Sequence, residues 1–222
     1  MKRKLILGLV SIAVLVMAAG AAWAADSQPS AKATAAINKL YAIGGEDSAT
    51  WVVGQGWTTV HSQQIKTANA KDLFIDVALQ CGLYTRTKSE MKVGGDTSTA
   101  HAQIEVRVLV DNDVANPAEP GEVVFDKRVQ TLTTELYKAL MDSTGLPIDN
   151  IGYVELILET LQAHAFNFVK ADVTAGVHTI AVQARVLSDI SNNANALGAV
   201  GMGSTAIESV RMIKDEDFIV DL

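Results

Sequence analysis

Four stretches of the chain alternate apolar and polar positions with a period of two. Leu73, Ile75, Val77 and Leu79 interleave with Phe74, Asp76, Ala78 and Gln80, and Ile104, Val106, Val108 and Val110 with Glu105, Arg107 and Leu109. Ile180, Val182, Ala184 and Val186 interleave with Thr179, Ala181, Gln183 and Arg185, and a weaker set runs Ile207, Ser209, Arg211 and Ile213. Successive side chains of a strand point to opposite faces, so each stretch predicts a strand with one packed face and one wet face, the habit of antiparallel sheets. Trp51-Val52-Val53 and Trp57-Thr58-Thr59-Val60, split by Gly54-Gln55-Gly56, are aromatic and β-branched and add to the β signal.

Turn residues join these segments. Asp111-Asn112-Asp113 and Pro117-Ala118-Glu119-Pro120-Gly121 separate the Ile104 strand from Val123-Val124-Phe125 and predict a hairpin with a polar tip. Thr174-Ala175-Gly176 separates Phe166–Val169 from Val177–Ile180 and predicts a second hairpin. One region has a helical period instead. Val154, Ile157, Leu158 and Leu161 fall at i, i+3, i+4 and i+7, with Glu155, Glu159 and Gln162 opposite and Asp149 or Asn150 as N-cap, so a helix near 151–164 is expected, ending at His164. Leu132, Leu136, Ala139 and Leu140 repeat the period more weakly before the breaker Asp142–Pro147. Residues 188–204 read as a long loop of small residues. Its apolar exceptions, Leu197, Val200 and Met202, are expected either to contact a neighbouring subunit or ligand, or to fold back on their own sheet.

The N-terminus changes where this fold is expected to reside. Lys2-Arg3-Lys4, the apolar run Leu5–Met17 and Ala22-Trp23-Ala24 have the order of a secretory signal peptide. The expected organisation is therefore a signal peptide at 1–24, an N-terminal leader at 25–50 and a single β-sandwich domain at 51–222. Within the leader, Ala35–Tyr41 reads as an early strand or a short helix. No later stretch of the sequence is apolar for long enough to span a membrane as a helix, so an exported protein, periplasmic or extracellular, is expected. A net charge of −7 over 222 residues argues against nucleic acid as partner. Cys81 is the single cysteine, so it has no internal disulfide partner, and its apolar neighbours predict a buried thiol.

Candidate chemistry is sparse. The chain carries no G-x-S-x-G, P-loop, H-E-x-x-H or C-x-x-C, and Gly198-x-x-Gly201-x-Gly203 has the wrong order for a dinucleotide loop. Asp111, Asp113, Glu119 and Glu122 form a candidate Ca²⁺ set, because loop carboxylates suit that hard cation. Ala115 and Asn116, however, stand where an EF-hand loop has a ligand and a glycine. No other cofactor is expected. Asp76 with Glu105, and His178 with Glu208, are the available acid–base pairings. Trp51 and Trp57 could form a stacking platform for a sugar.

The strand Gly176-Val177-His178-Thr179-Ile180-Ala181-Val182-Gln183-Ala184-Arg185, followed by small residues and Ser204–Met212, resembles the last two strands of jelly-roll domains. Similar endings occur in tumour-necrosis-factor-like and complement-head-like trimers, phage fibre tips and carbohydrate-binding modules. The resemblance implies a mainly β, antiparallel jelly-roll-like β-sandwich, here with one or two short inserted helices. The function expected is non-enzymatic, in a surface, matrix or fibre structure, through self-association or binding of a surface glycan or protein. The alternatives are a glycan- or ligand-binding module and, last, a hydrolase.

Overall fold

The structure, a computed structural model, describes residues 33–38, 56–90, 95–134 and 152–212. Every regular element among them is a strand: β1 (Ala33–Asn38), β2 (Thr58–Thr67), β3 (Lys71–Glu90), β4 (Thr97–Val110), β5 (Val123–Thr133), β6 (Tyr153–Val173), β7 (Gly176–Ser191) and β8 (Ala194–Val210). They form two four-stranded antiparallel sheets, one ordered β1-β8-β3-β6 and the other β2-β7-β4-β5.

The period-two patterns set the packing. Along β3, odd positions from Leu73 to Leu83 are buried while the even positions between them face outward, half-covered. They meet Ile104, Val106, Val108, Ile180, Val182 and Val186 of the other sheet, together with Phe168 and Ile207, in one core. Burying each such side chain contributes about 1.5–3 kcal/mol relative to exposure. Farther along β3 the inward positions become Thr85, Thr87 and Ser89, all fully buried. Buried hydroxyls need partners, and β5 brings them. Thr85 Oγ1 donates to Gln130 Oε1 (2.7 Å), and Gln130 Nε2 donates to Thr87 Oγ1 (2.7 Å) and to the Leu156 carbonyl (2.7 Å). Arg128 Nη1 reaches the Leu83 carbonyl at 3.0 Å and the Leu158 carbonyl at 2.9 Å, tying β5 to β3 and β6.

Four sequence expectations are corrected. The helix near 151–164 is β6, which runs in unbroken register beside β3 from Tyr153↔Glu90 to Lys170↔Leu73. As the last strand of its sheet, β6 lacks a single well-packed face, and its apolar residues fall on both sides in an accidental helical spacing. His164 accordingly sits mid-strand, with Nε2 3.7 Å from Asp126 Oδ2, rather than at a helix end. The expected hairpin across Thr174-Ala175-Gly176 is a crossover: β6 and β7 lie in different sheets. Residues 188–204 are the end of β7 and most of β8, turning at Asn192 and Asn193, whose φ values of 41° and 48° suit asparagine. Of the weaker helical run, Leu132 lies in β5, which ends at Thr133, and the remaining residues lie outside those described. The β4–β5 hairpin forms as expected, and Ala33–Asn38 is the early strand, paired with β8. The signal peptide, the rest of the leader and Trp51 lie outside the described residues.

Candidate functional site

The polar tip between β4 and β5 brings the acidic candidates close in sequence but commits them separately. Asp111, at a left-handed φ of 55°, accepts from the Thr179 amide through Oδ1 (2.9 Å) and lies 2.8 Å from His178 Nδ1 through Oδ2. His178 Nε2 meets the Thr174 carbonyl at 2.9 Å, so this imidazole locks the tip to β7, and the expected pairing with Glu208 is not made. Asp113 caps the Ala115 amide (3.0 Å), Glu119 pairs with Val169 through its backbone, and Glu122 Oε2 accepts from Arg185 (2.8 Å). Lys170 places its ammonium among the tip oxygens: the Asn116 carbonyl at 2.6 Å, Asn116 Oδ1 at 2.5 Å and the Pro117 carbonyl at 3.1 Å. Among the described residues no three His, Cys, Asp or Glu side chains converge on a metal position. The tip oxygens nearest the Lys170 ammonium are those of Asn116 and Pro117, not the four candidate carboxylates.

Trp57 is covered rather than open. Arg107 and Arg185 stack on its ring, with Cζ 4.2 and 4.5 Å from the centroid. Glu105 holds Arg185 Nε at 2.6 Å, and Glu122 lies 3.6 Å from Arg107. Burial lowers the Arg107 pKa from its ordinary value; Glu122 opposes that shift and Arg185 adds to it. Each guanidinium is thus engaged by both ring and carboxylate. Glu105 faces outward from one sheet and Asp76 from the other, so the expected Asp76–Glu105 pair is separated by the whole sandwich.

Leu197, Val200 and Met202 are strand residues, not loop contacts. Val200 is fully buried in the core, which is the fold-back alternative; Leu197 is half-buried on the outer face of β8, and Met202 is 61% exposed. The glycines around them serve close approach. A Cβ on Gly198 would lie 2.8 Å from Val186 Cγ1 across the core, and one on Gly203 would lie 2.6 Å from the Ala78 carbonyl.

Among the described residues, β6 combines accessible apolar surface with a long edge along which no second strand pairs. Its 21 residues pair with β3 along one edge; along the other, among the described residues, the backbone pairing is that of Val169 with Glu119, while Gln130 and Arg128 of β5 reach the Leu156 and Leu158 carbonyls through side chains. Val169 turns both its N–H and C=O away from β3. Because antiparallel residues alternate in this respect and the register is unbroken, the odd-numbered residues from Glu155 to Asn167 also aim their N–H and C=O outward. The strand exposes Ile157 (52%) and Leu161 (64%) on the outer face, with Leu156, Leu158 and Phe166 partly exposed on the other. Leu161 borders a shallow trough of about 300 Å³ on that outer face, whose lining includes Gly82, Tyr84, Leu197 and Ala199. The trough exists because Gly82 has no side chain there: a Cβ would stand 3.4 Å from Leu161 Cδ1. The signal in the sequence was the occurrence of apolar residues at both odd and even positions of 153–161.

No protein-family model matches the chain, and no curated protein matches its sequence. Among solved structures it is similar to a chain of infectious bursal disease virus, Gx strain, at 10% identity and a TM-score of 0.34, over 86% of this chain and 36% of that one. It is similar to the Eiger TNF of S. frugiperda at 10% identity, TM-score 0.17, over 69% and 68%. It is similar to TmCBM61, solved with β-1,4-galactotriose, at 12% identity, TM-score 0.15, over 65% and 59%. The chain thus spans about a third of the length of the viral chain it matches.

Proposed function

We propose that this chain is an exported, non-enzymatic jelly-roll module that works by self-association in a surface, matrix or fibre structure. The pairing scheme supports the jelly-roll reading: β1 pairs with β8, β2 with β7, β3 with β6 and β4 with β5. That is a long hairpin folded over into two sheets, as in eight-stranded jelly rolls. Export rests on the basic, apolar and small-residue order of positions 2–24.

One observation carries the functional reading. A long edge strand with exposed apolar side chains is a template for another strand, and proteins that remain apart blunt such edges with charge, proline or a covering segment. From Leu156 to Leu161 the β6 edge carries a single charged residue, Glu159, and no proline. Light scattering coupled to size exclusion tests this reading. Self-association predicts a mass that is a multiple of the chain and rises with concentration; a monomer at every concentration would overturn it.

A further inference from the structure

We infer that the partner of β6 is β6 of a second copy, paired antiparallel about a two-fold axis at Leu161, so that the two outer sheets become one continuous eight-stranded sheet. The inference rests on the self-association reading and narrows it to one strand and one register.

Backbone alternation restricts the choice. Outward-facing residues must oppose outward-facing residues, so the two-fold passes through a residue position rather than between two. Charge restricts it again. An axis at Glu159 sets that carboxylate against its own copy, and an axis at Ile157 sets Glu155 against Glu159; like charges directly opposite destabilise a sheet. An axis at Leu158 or Thr160 puts Glu159 opposite Ile157 or Leu161, leaving an acid against the most exposed aliphatics. With the axis at Leu161 the conflicts vanish. Leu161 meets Leu161, Ile157 meets Ala165 and Glu159 meets the small Ala163, while on the other face Leu156 meets Phe166. Glu155 opposes Asn167 and already has its countercharge in Arg86 on β3.

The end of the ladder agrees with this register. It runs from Glu155 to Asn167 and stops one outward residue short of Val169, whose N–H and C=O are already taken by Glu119. An isologous contact of this kind closes on itself and yields a dimer rather than an open filament.

Three proteins test it, each expressed from the whole sequence and purified. In Leu161→Lys, two ammonium groups would meet on the axis; the side chain is mostly exposed, so the monomer still folds, which circular dichroism checks. The dimer dissociation constant should rise on the order of a hundredfold. In Leu161→Cys, the axis brings two thiols within the Cα separation a disulfide requires, roughly 4.4–6.8 Å. Mild oxidation should then give a covalent dimer, while wild type, whose Cys81 is buried, gives none. A wild-type dimer that survives Leu161→Lys, or whose Leu161→Cys form does not cross-link, overturns this interface and leaves self-association standing. A wild-type monomer overturns both.

Discussion

Lys170 reaches back from β6 to hold the Asn116 backbone carbonyl at 2.6 Å, so the β4–β5 tip is fastened by an ammonium from the opposite sheet. Burial lowers the Lys170 pKa from its ordinary value, while Asp113 and Glu119 act to raise it. Lys170→Met keeps the aliphatic stem and removes three hydrogen bonds from a charged donor. The expected loss, read from urea denaturation, is about 1.5–3 kcal/mol. Calcium added to wild type should leave the midpoint unchanged; a clear rise would show that the tip binds the ion despite Lys170.

Gly198 and Gly203 should tolerate alanine differently. At Gly198 the obstacle is a side chain, Val186 Cγ1 at 2.8 Å; at Gly203 it includes a backbone oxygen, that of Ala78 at 2.6 Å. Either substitution should cost about 1–3 kcal/mol through overpacking. Val186→Ala should recover part of the Gly198→Ala loss in a double-mutant cycle. Leu79→Ala should fail to recover Gly203→Ala, since the oxygen stays where it is. Rescue in both cases, or in neither, would contradict these contacts.

His61 makes the fold acid-sensitive. Its Nδ1 meets Thr205 Oγ1 at 2.8 Å inside the sandwich, and burial lowers its pKa below the ordinary 6.5. Below pH 6.5 the unfolded chain therefore binds a proton at this position that the folded chain resists. The contribution of neutral His61 is complete above that pH and is lost as pH falls toward the lowered value. His61→Asn retains a polar group facing Thr205 and does not titrate. The drop in stability between pH 7.5 and pH 5 should be smaller in the variant; an equal drop would remove His61 from the account.

Cys81 should be inert in the native protein. Burial, with Asp126 adding to it, pushes the thiol up to about 12. Thiolate at neutral pH is then on the order of a thousandfold scarcer than for an ordinary cysteine. A thiol reagent should label it only in denaturant. Rapid labelling of native protein at pH 8 would show that the β3 core opens on its own.

What could be read along the chain depended on how completely each strand is sandwiched. Leu73–Leu83, Ile104–Val110 and Ile180–Val186 lie in strands with neighbours on both sides and a sheet across the core, so a period of two shows, broken by the buried Leu109 and Ala181. Among the described residues β6 has one strand neighbour, and Leu156, Ile157, Leu158 and Leu161 are exposed on both faces, so its sequence carries no such alternation. The end of β8 shows in the alternation at Ile207 and Ser209, but its first half is hidden for a different reason. Ala194, Ala196 and Gly198 are buried strand positions whose small size lets the sheets approach, and small residues in sequence look like loop. The candidate site suffered the same bias. Asp111 and Trp57 stand out as chemistry, and in the structure they contact His178 and the Arg107–Arg185 pair, whereas an open strand edge is a backbone property with no residue type of its own.

The pairing of Ala33 with Glu208 also sets a clock for synthesis. β1 is the first described strand to leave the ribosome, and its neighbour β8 is the last. At roughly 5–20 residues per second, β1 waits on the order of ten seconds or more before a partner exists. β3 waits as well, for β6 and then β8, with Leu73 to Leu83 uncovered meanwhile. The first and last described strands must therefore meet before this sheet is complete, and loss of the pairing at Gly203, Thr205 or Ile207 would deprive β1 and β3 together of a neighbour.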